Sequence, residues 1–157
     1  MQVLTRADNR TVYVGSLEGP ADFQPPPGGG QYPCLIWDHL GTWSVAEIGA
    51  VAEVLLADGC RYAVCAGKQC ERWHDIIDEV FVQAHLDQPE SALDAAHVIT
   101  SWHDGETPDE VAFFFILNTS FDGLQFDRYV VLHIGHGSDS AELDARVVHY
   151  AIGEEVA

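Results

Sequence analysis

The sequence predicts an α/β three-layer sandwich with a mainly parallel sheet of about four to five strands, and three observations carry that prediction. Short apolar runs alternate with longer segments of helical period along most of the chain. Runs such as "YPCLIW", "RYAVCAG" and "RYVVLHIG" are continuously apolar, as strands covered on both faces must be. The helical segments open on capping residues and close on glycine, so the punctuation agrees with the periodicity. Right-handed crossovers then make a flavodoxin-like or Toll/interleukin-receptor-like arrangement the economical solution.

The elements follow in order. "TVYVGSL" at 11–17 reads as a weak first strand, and "PPPGGG" at 25–30 interrupts all regular structure. Residues 1–31 are therefore expected as an N-terminal arm and loop, and 32–157 as a single α/β domain. Within that domain "YPCLIW" is the first strand. "SVAEIGAVAEVLLADG" follows as a helix, with Ser44 and Glu47 as a capping box and Gly59 as its stop. "RYAVCAG" is the second strand. "ERWHDIIDEVFVQAHL" keeps helical spacing through about residue 79, whereas 80–86 fits helix or edge strand equally. "AHVITSW" is the third strand. Thr107, Pro108 and Glu110 then supply the cap, first-turn proline and capping-box acid of a helix that is apolar almost all round and is expected to be deeply buried. "RYVVLHIG" and "SDSAELDARVVHYAIG" complete the series as strand and closing helix.

Composition narrows the function classes. The 157 residues carry 7 Lys and Arg against 25 Asp and Glu, a formal charge of −18, and Lys68 is the single lysine. Such a field repels nucleic-acid phosphates and anionic lipid, and it suits a basic protein partner. No apolar run approaches the roughly 20 residues that span a bilayer, and the N-terminus lacks a signal-peptide core. The four cysteines sit in or beside apolar segments, which is expected of reduced thiols in a cytoplasmic protein.

In an open parallel sheet the ligand site lies at the carboxyl ends of the strands. Those ends carry Asp38 and His39; Cys65, Gly67, Cys70, Glu71, His74 and Asp75; His103, Asp104 and Glu106; and His133 and His136. Three chemistries compete for them. Cys65, Cys70 and His74, spaced C-x4-C-x3-H, would make a tetrahedral metal site with His103, although the cysteines lack the usual tight pairing. Cys70 at a helix start is a candidate nucleophile, against simple packing under Trp73. Asp38, Asp104 or Glu106 beside histidine would divide acid and base roles, against a solvated turn leading into the cap at Thr107. "GHGSDS" matches no phosphate-binding motif, and no cofactor is indicated.

At "AGKQCERWHDIIDEV", "ITSWHDGETPDEVAFFF" and "VVLHI" the chain resembles an uncharacterised bacterial domain family of unknown function. Its pattern runs W-G-x-D-C-x-x-W-x-D, then T-T-W-H-x-x-E-P-x-E-E, then L-H-I. The likeness spans roughly residues 32–136 and implies a shared importance for Cys70, Trp73, Asp75, Trp102, His103, Glu106 and Glu110. The chain departs from the pattern at Ala66, at Gln69 and by the extra Thr107 before Pro108.

These readings converge on a small ligand at the carboxyl edge of the sheet. Trp102 and Trp73 are expected to wall the pocket, with Cys70, Asp75 and Glu106 as further ligand-facing residues. His103 is the expected proton-transfer group, oriented by Asp38 or Asp104. The alternative is an acidic interaction protein of the immunity or inhibitor type, and the third expectation is an accessory domain without a pocket.

Overall fold

A computed structural model describes residues 1–7, 9–121 and 123–153. Its strands are β1 (Gln2–Ala7), β2 (Arg10–Leu17), β3 (Tyr32–Asp38), β4 (Cys60–Gly67), β5 (Ile99–His103) and β6 (Arg128–Ile134). Its α-helices are α1 (Val45–Asp58), α2 (Cys70–Ala84), α3 (Glu90–Ala96), α4 (Pro108–Leu117) and α5 (Ser140–Ile152). The strands form one six-stranded sheet in the order β1-β2-β6-β3-β4-β5. Only the β1–β2 pair is antiparallel; the other four neighbouring pairs are parallel. This is a mixed, mostly parallel α/β sheet consistent with a flavodoxin-like sandwich.

Side-chain alternation sorts the core into two layers. Cys34, Ile36, Ala63, Cys65, Val130, Leu132 and Ile134 face one way, onto Ile48, Val51 and Leu55 of α1 and Trp73 and Ile77 of α2. Leu35, Trp37, Val64, Tyr129 and Val131 face the other way, onto Val111 and Phe115 of α4 and Leu143 and Val147 of α5. Every residue of β3 and β6 is buried, which explains their unbroken apolar sequence.

Local signals in the sequence reappear as geometry. Ser44 Oγ accepts from the Glu47 amide at 3.2 Å, and Gly59 closes α1 in the left-handed region at φ 116°. Thr107 and Glu110 make the same reciprocal box at the start of α4. Residues 80–84 are helical.

Three expectations change. Residues 2–17, read as part of an arm, supply β1 and β2, and β2 pairs with β6 from Thr11 to Leu17. The Pro/Gly loop is fastened to that sheet, because Arg128 donates to the carbonyls of Pro26, Pro27 and Gly30. Helix α4 is not buried all round: Phe113 and Leu117 are 47% and 51% exposed. A helix lying on one face of a sheet covers only one side of itself, whatever its composition. Trp102, expected to wall a pocket, instead faces outward. It is 47% exposed because β5 is the sheet's edge.

Candidate functional site

Strands β3 and β6 lie side by side in parallel, with Trp37 opposite His133 and Asp38 opposite Ile134. The chain leaves β3 toward α1 on one face and leaves β6 toward α5 on the other. The two loops diverge and open a crevice at the topological switch point, where α/β sheets of this kind bind ligands. The crevice holds about 540 Å³ and is lined by Trp37–His39, Gly67–Gln69, His103–Glu106 and Gly137–Asp139.

Asp38 braces this opening without facing it as a free acid. Its side chain is fully buried. Oδ1 accepts from the amides of Leu40 and Gly41 at 2.9 and 2.8 Å, and Oδ2 accepts from Trp73 Nε1–H at 2.9 Å. Both oxygens are thus spent on ionic hydrogen bonds that hold the β3 loop to α2. Gly67 packs against it so closely that a Cβ would stand 2.5 Å from the Asp38 carbonyl oxygen. Next in sequence after Lys68, Gln69 is the one positive-φ non-glycine among the described residues, at φ 56°. Its Nε2 donates to the Gly41 carbonyl at 2.7 Å, so the strained residue bridges two walls of the crevice.

His103 stands at the end of β5 and is nearly buried. Its partner is Glu106, not Asp38 or Asp104: Nδ1 lies 2.8 Å from Glu106 Oε2. Nε2 lies 2.9 Å from Ser101 Oγ, and the ring packs on Phe114. Asp104 and Glu106 line the crevice beside it.

The remaining predicted residues lie elsewhere. Trp73 is wholly buried between α2 and the sheet, and Trp37 takes the place in the wall expected of it. Trp102 stacks edge-on against His74 and does not line the crevice. Asp75 is bound to His74 Nδ1 at 2.8 Å on the outer side of α2. Cys70 is buried in the core with Trp73. Burial, followed by the nearby Asp104, pushes its thiol above the usual range, the reverse of an activated nucleophile. Cys65 is fully buried beneath α1 and α2. Cys65, Cys70, His74 and His103 do not assemble, and among the described residues no group of three His, Cys, Asp or Glu side chains is arranged to hold a metal ion.

A constellation that residue-by-residue reading did not single out joins β3, β6 and α5. His133 Nε2 lies 2.8 Å from Asp144 Oδ1, and His133 Nδ1 lies 2.9 Å from His39 Nε2. Ser140 Oγ lies 3.2 Å from the same His39 nitrogen and accepts from the Gly137 amide at 3.1 Å. The His39 and His133 rings are nearly coplanar, at 16° with centroids 5.2 Å apart, as an edge-to-edge N–H···N hydrogen bond requires, and the Trp37 ring lies 6.1 Å from His39. Burial, followed by the neighbouring His133, lowers the His39 pKa, so the ring is neutral near pH 7. Both histidines stood among the strand-end residues, but their partners are distant in sequence: His39 and His133 are 94 residues apart, and His39 and Ser140 are 101 apart. Only the strand order β6-β3 signals their meeting.

The fold and crevice define a doubly wound α/β protein whose switch point is lined by histidines and carboxylates. The chain belongs to the family described as a domain of unknown function (DUF7684), whose pattern matches residues 17–149. No curated protein matches it.

Proposed function

We propose that the protein binds a small, uncharged or cationic polar molecule in the crevice at the carboxyl ends of its strands. The convergence of four loops at the switch point, with Gln69 held in a strained conformation between two of them, carries this reading. Asp104, Glu106 and Asp139 face a single Lys68 on its walls, a balance that disfavours anions. His103, held by Glu106 and Ser101, forms the β5 wall of the crevice.

Thermal-shift measurements against polyols, nucleosides, polyamines and inorganic phosphate test this reading. A neutral or cationic compound raises Tm, as binding to the native state alone requires, and Glu106→Gln reduces the shift. The reading fails if nothing in the panel raises Tm, or if the shift survives both His103→Ala and Glu106→Gln.

A second reading, an acidic surface for a basic protein partner, is supported by Trp102. This exposed aromatic ring lies on an edge strand beside His74, which is itself paired with Asp75 and Asp78. An aromatic anchor next to carboxylates suits a cationic surface. A salt-sensitive complex that Trp102→Ala weakens about tenfold or more supports this reading; one indifferent to Trp102 removes it.

A further inference from the structure

We infer that Asp144, His133 and His39 form a proton relay that makes His39 Nδ1 the proton-accepting atom of the crevice, acting on a hydroxyl, an amine or a water bound there. The inference rests on the crevice reading above, since the crevice is where such a molecule would stand.

Donor and acceptor bookkeeping assigns the protons. An ionised carboxylate only accepts, so the nitrogen 2.8 Å from Asp144, His133 Nε2, carries hydrogen. A neutral His133 then has a bare Nδ1, which can only accept. The nitrogen 2.9 Å from it, His39 Nε2, must therefore carry hydrogen. A neutral His39 is left with its lone pair on Nδ1. Ser140 is thereby excluded as a nucleophile activated by His39, because the nitrogen it approaches already bears a proton.

The surroundings of Nδ1 agree with this assignment. A Cβ on Gly137 would stand 2.7 Å from it, so the residue beside the lone pair has to be glycine. His39 and Gly137 both line the crevice. Neutrality of His39 at working pH follows from its burial and from His133 beside it.

The proton balance is complete. A bound O–H or N–H gives its proton to His39 Nδ1 and keeps the bonding electron pair. The Nε2 proton of His39 passes to His133 Nδ1, leaving His39 neutral and His133 cationic. That charge rests beside the Asp144 carboxylate rather than next to the substrate. His133 and Asp144 also line a second cavity, of about 410 Å³, between β2 and α5. The relay therefore reaches from the crevice to this second cavity. His39 is the proton acceptor, and His133 and Asp144 are positioning residues.

The test needs no ligand. In ¹⁵N-histidine-labelled protein, a through-hydrogen-bond coupling between His39 Nε2 and His133 Nδ1 is expected, with His39 Nδ1 unprotonated. Diethyl pyrocarbonate, which acylates bare imidazole nitrogens, should modify His39, with the adduct located by peptide mass spectrometry. Asp144→Asn should slow that modification about threefold to tenfold, the range that one pK unit of lost basicity gives after Brønsted attenuation. Absence of the coupling in the wild-type protein overturns the relay, and so does an unchanged His39 rate in a folded Asp144→Asn protein. If that variant does not fold, the wild-type coupling decides alone. The coupling and the acylation rate are read without ligand, so a relay that fails while ligand-induced Tm shifts persist removes this inference alone. An intact relay without any such shift removes the ligand reading alone.

Discussion

Two of the histidine–carboxylate assemblies at the carboxyl edge of the sheet differ in what they leave open. His103 binds Glu106 three residues ahead and Ser101 two residues behind, so both ring nitrogens are used within one turn of chain. His39 and His133 are joined across neighbouring parallel strands to Asp144 on α5, and among the described residues no hydrogen-bond partner takes His39 Nδ1. A local pair can be built by any turn that ends a strand and caps a helix. An assembly drawn from three separate elements requires the whole sheet to be in register, and it sits where the neighbouring strands β3 and β6 send their chains to opposite faces. The comparison separates a histidine held by its own turn from one held by the fold.

Four measurements break or sharpen that contrast. Asp38→Ala has the largest expected effect. It leaves the buried indole N–H of Trp73 and two loop amides without their acceptor, and should cost about 3 kcal/mol or more in chemical denaturation. Because Asp38 braces the loop carrying His39, the His39 resonances should move while those of His103 do not. Equal perturbation of both histidines would mean that the two assemblies are not independent.

Gly137→Ala comes next, at about 1–3 kcal/mol, because the added methyl overlaps the His39 ring. Loss of the His39–His133 coupling with an unchanged His103 spectrum is the expected signature. A fully retained coupling would show that the ring has room to spare.

Glu106→Gln should cost less than about 1 kcal/mol, since Glu106 is partly exposed and the pair is local. A loss as large as that of Gly137→Ala would place the structural weight of the edge on β5 and reverse the contrast.

The smallest effect is a drift with pH. His39 is lowered from 6.5 and faces His133, Asp139, Asp38 and His136. The native state therefore binds fewer protons than the unfolded chain between the lowered value and 6.5, and stability falls as pH drops through that window. His39→Gln should flatten this slope in pH-dependent denaturation; an unchanged slope would assign it to other groups.

The legibility of the fold and the illegibility of the site have the same cause. Capping at Ser44 and Thr107, the glycine stop at Gly59 and the continuous apolar runs of β3, β4 and β6 are local, and each appears in the structure as the sequence implies. Phe113 and Trp102 were harder, because their exposure depends on where α4 and β5 lie rather than on their neighbours in the chain. "HDGE" at 103–106 is legible as a cluster because its polar residues are adjacent in sequence. His103 and Glu106 do pair, yet the orienting role expected of Asp38 is spent on Trp73 and two amides. The short helix α3 starts after Pro89 without a side-chain cap, so no local signal marks it.

By itself the sequence determined the succession of strands and helices, the acidity and the set of polar residues at strand ends, because these rest on spacing, capping and composition within a few residues. Only the tertiary structure decided that β6 inserts between β2 and β3. That strand order brings His133 to His39 and Asp144, and it leaves β5 at the edge with Trp102 turned outward. Strand order is a property of crossovers whose ends lie far apart in the chain, and no local pattern of residues encodes it.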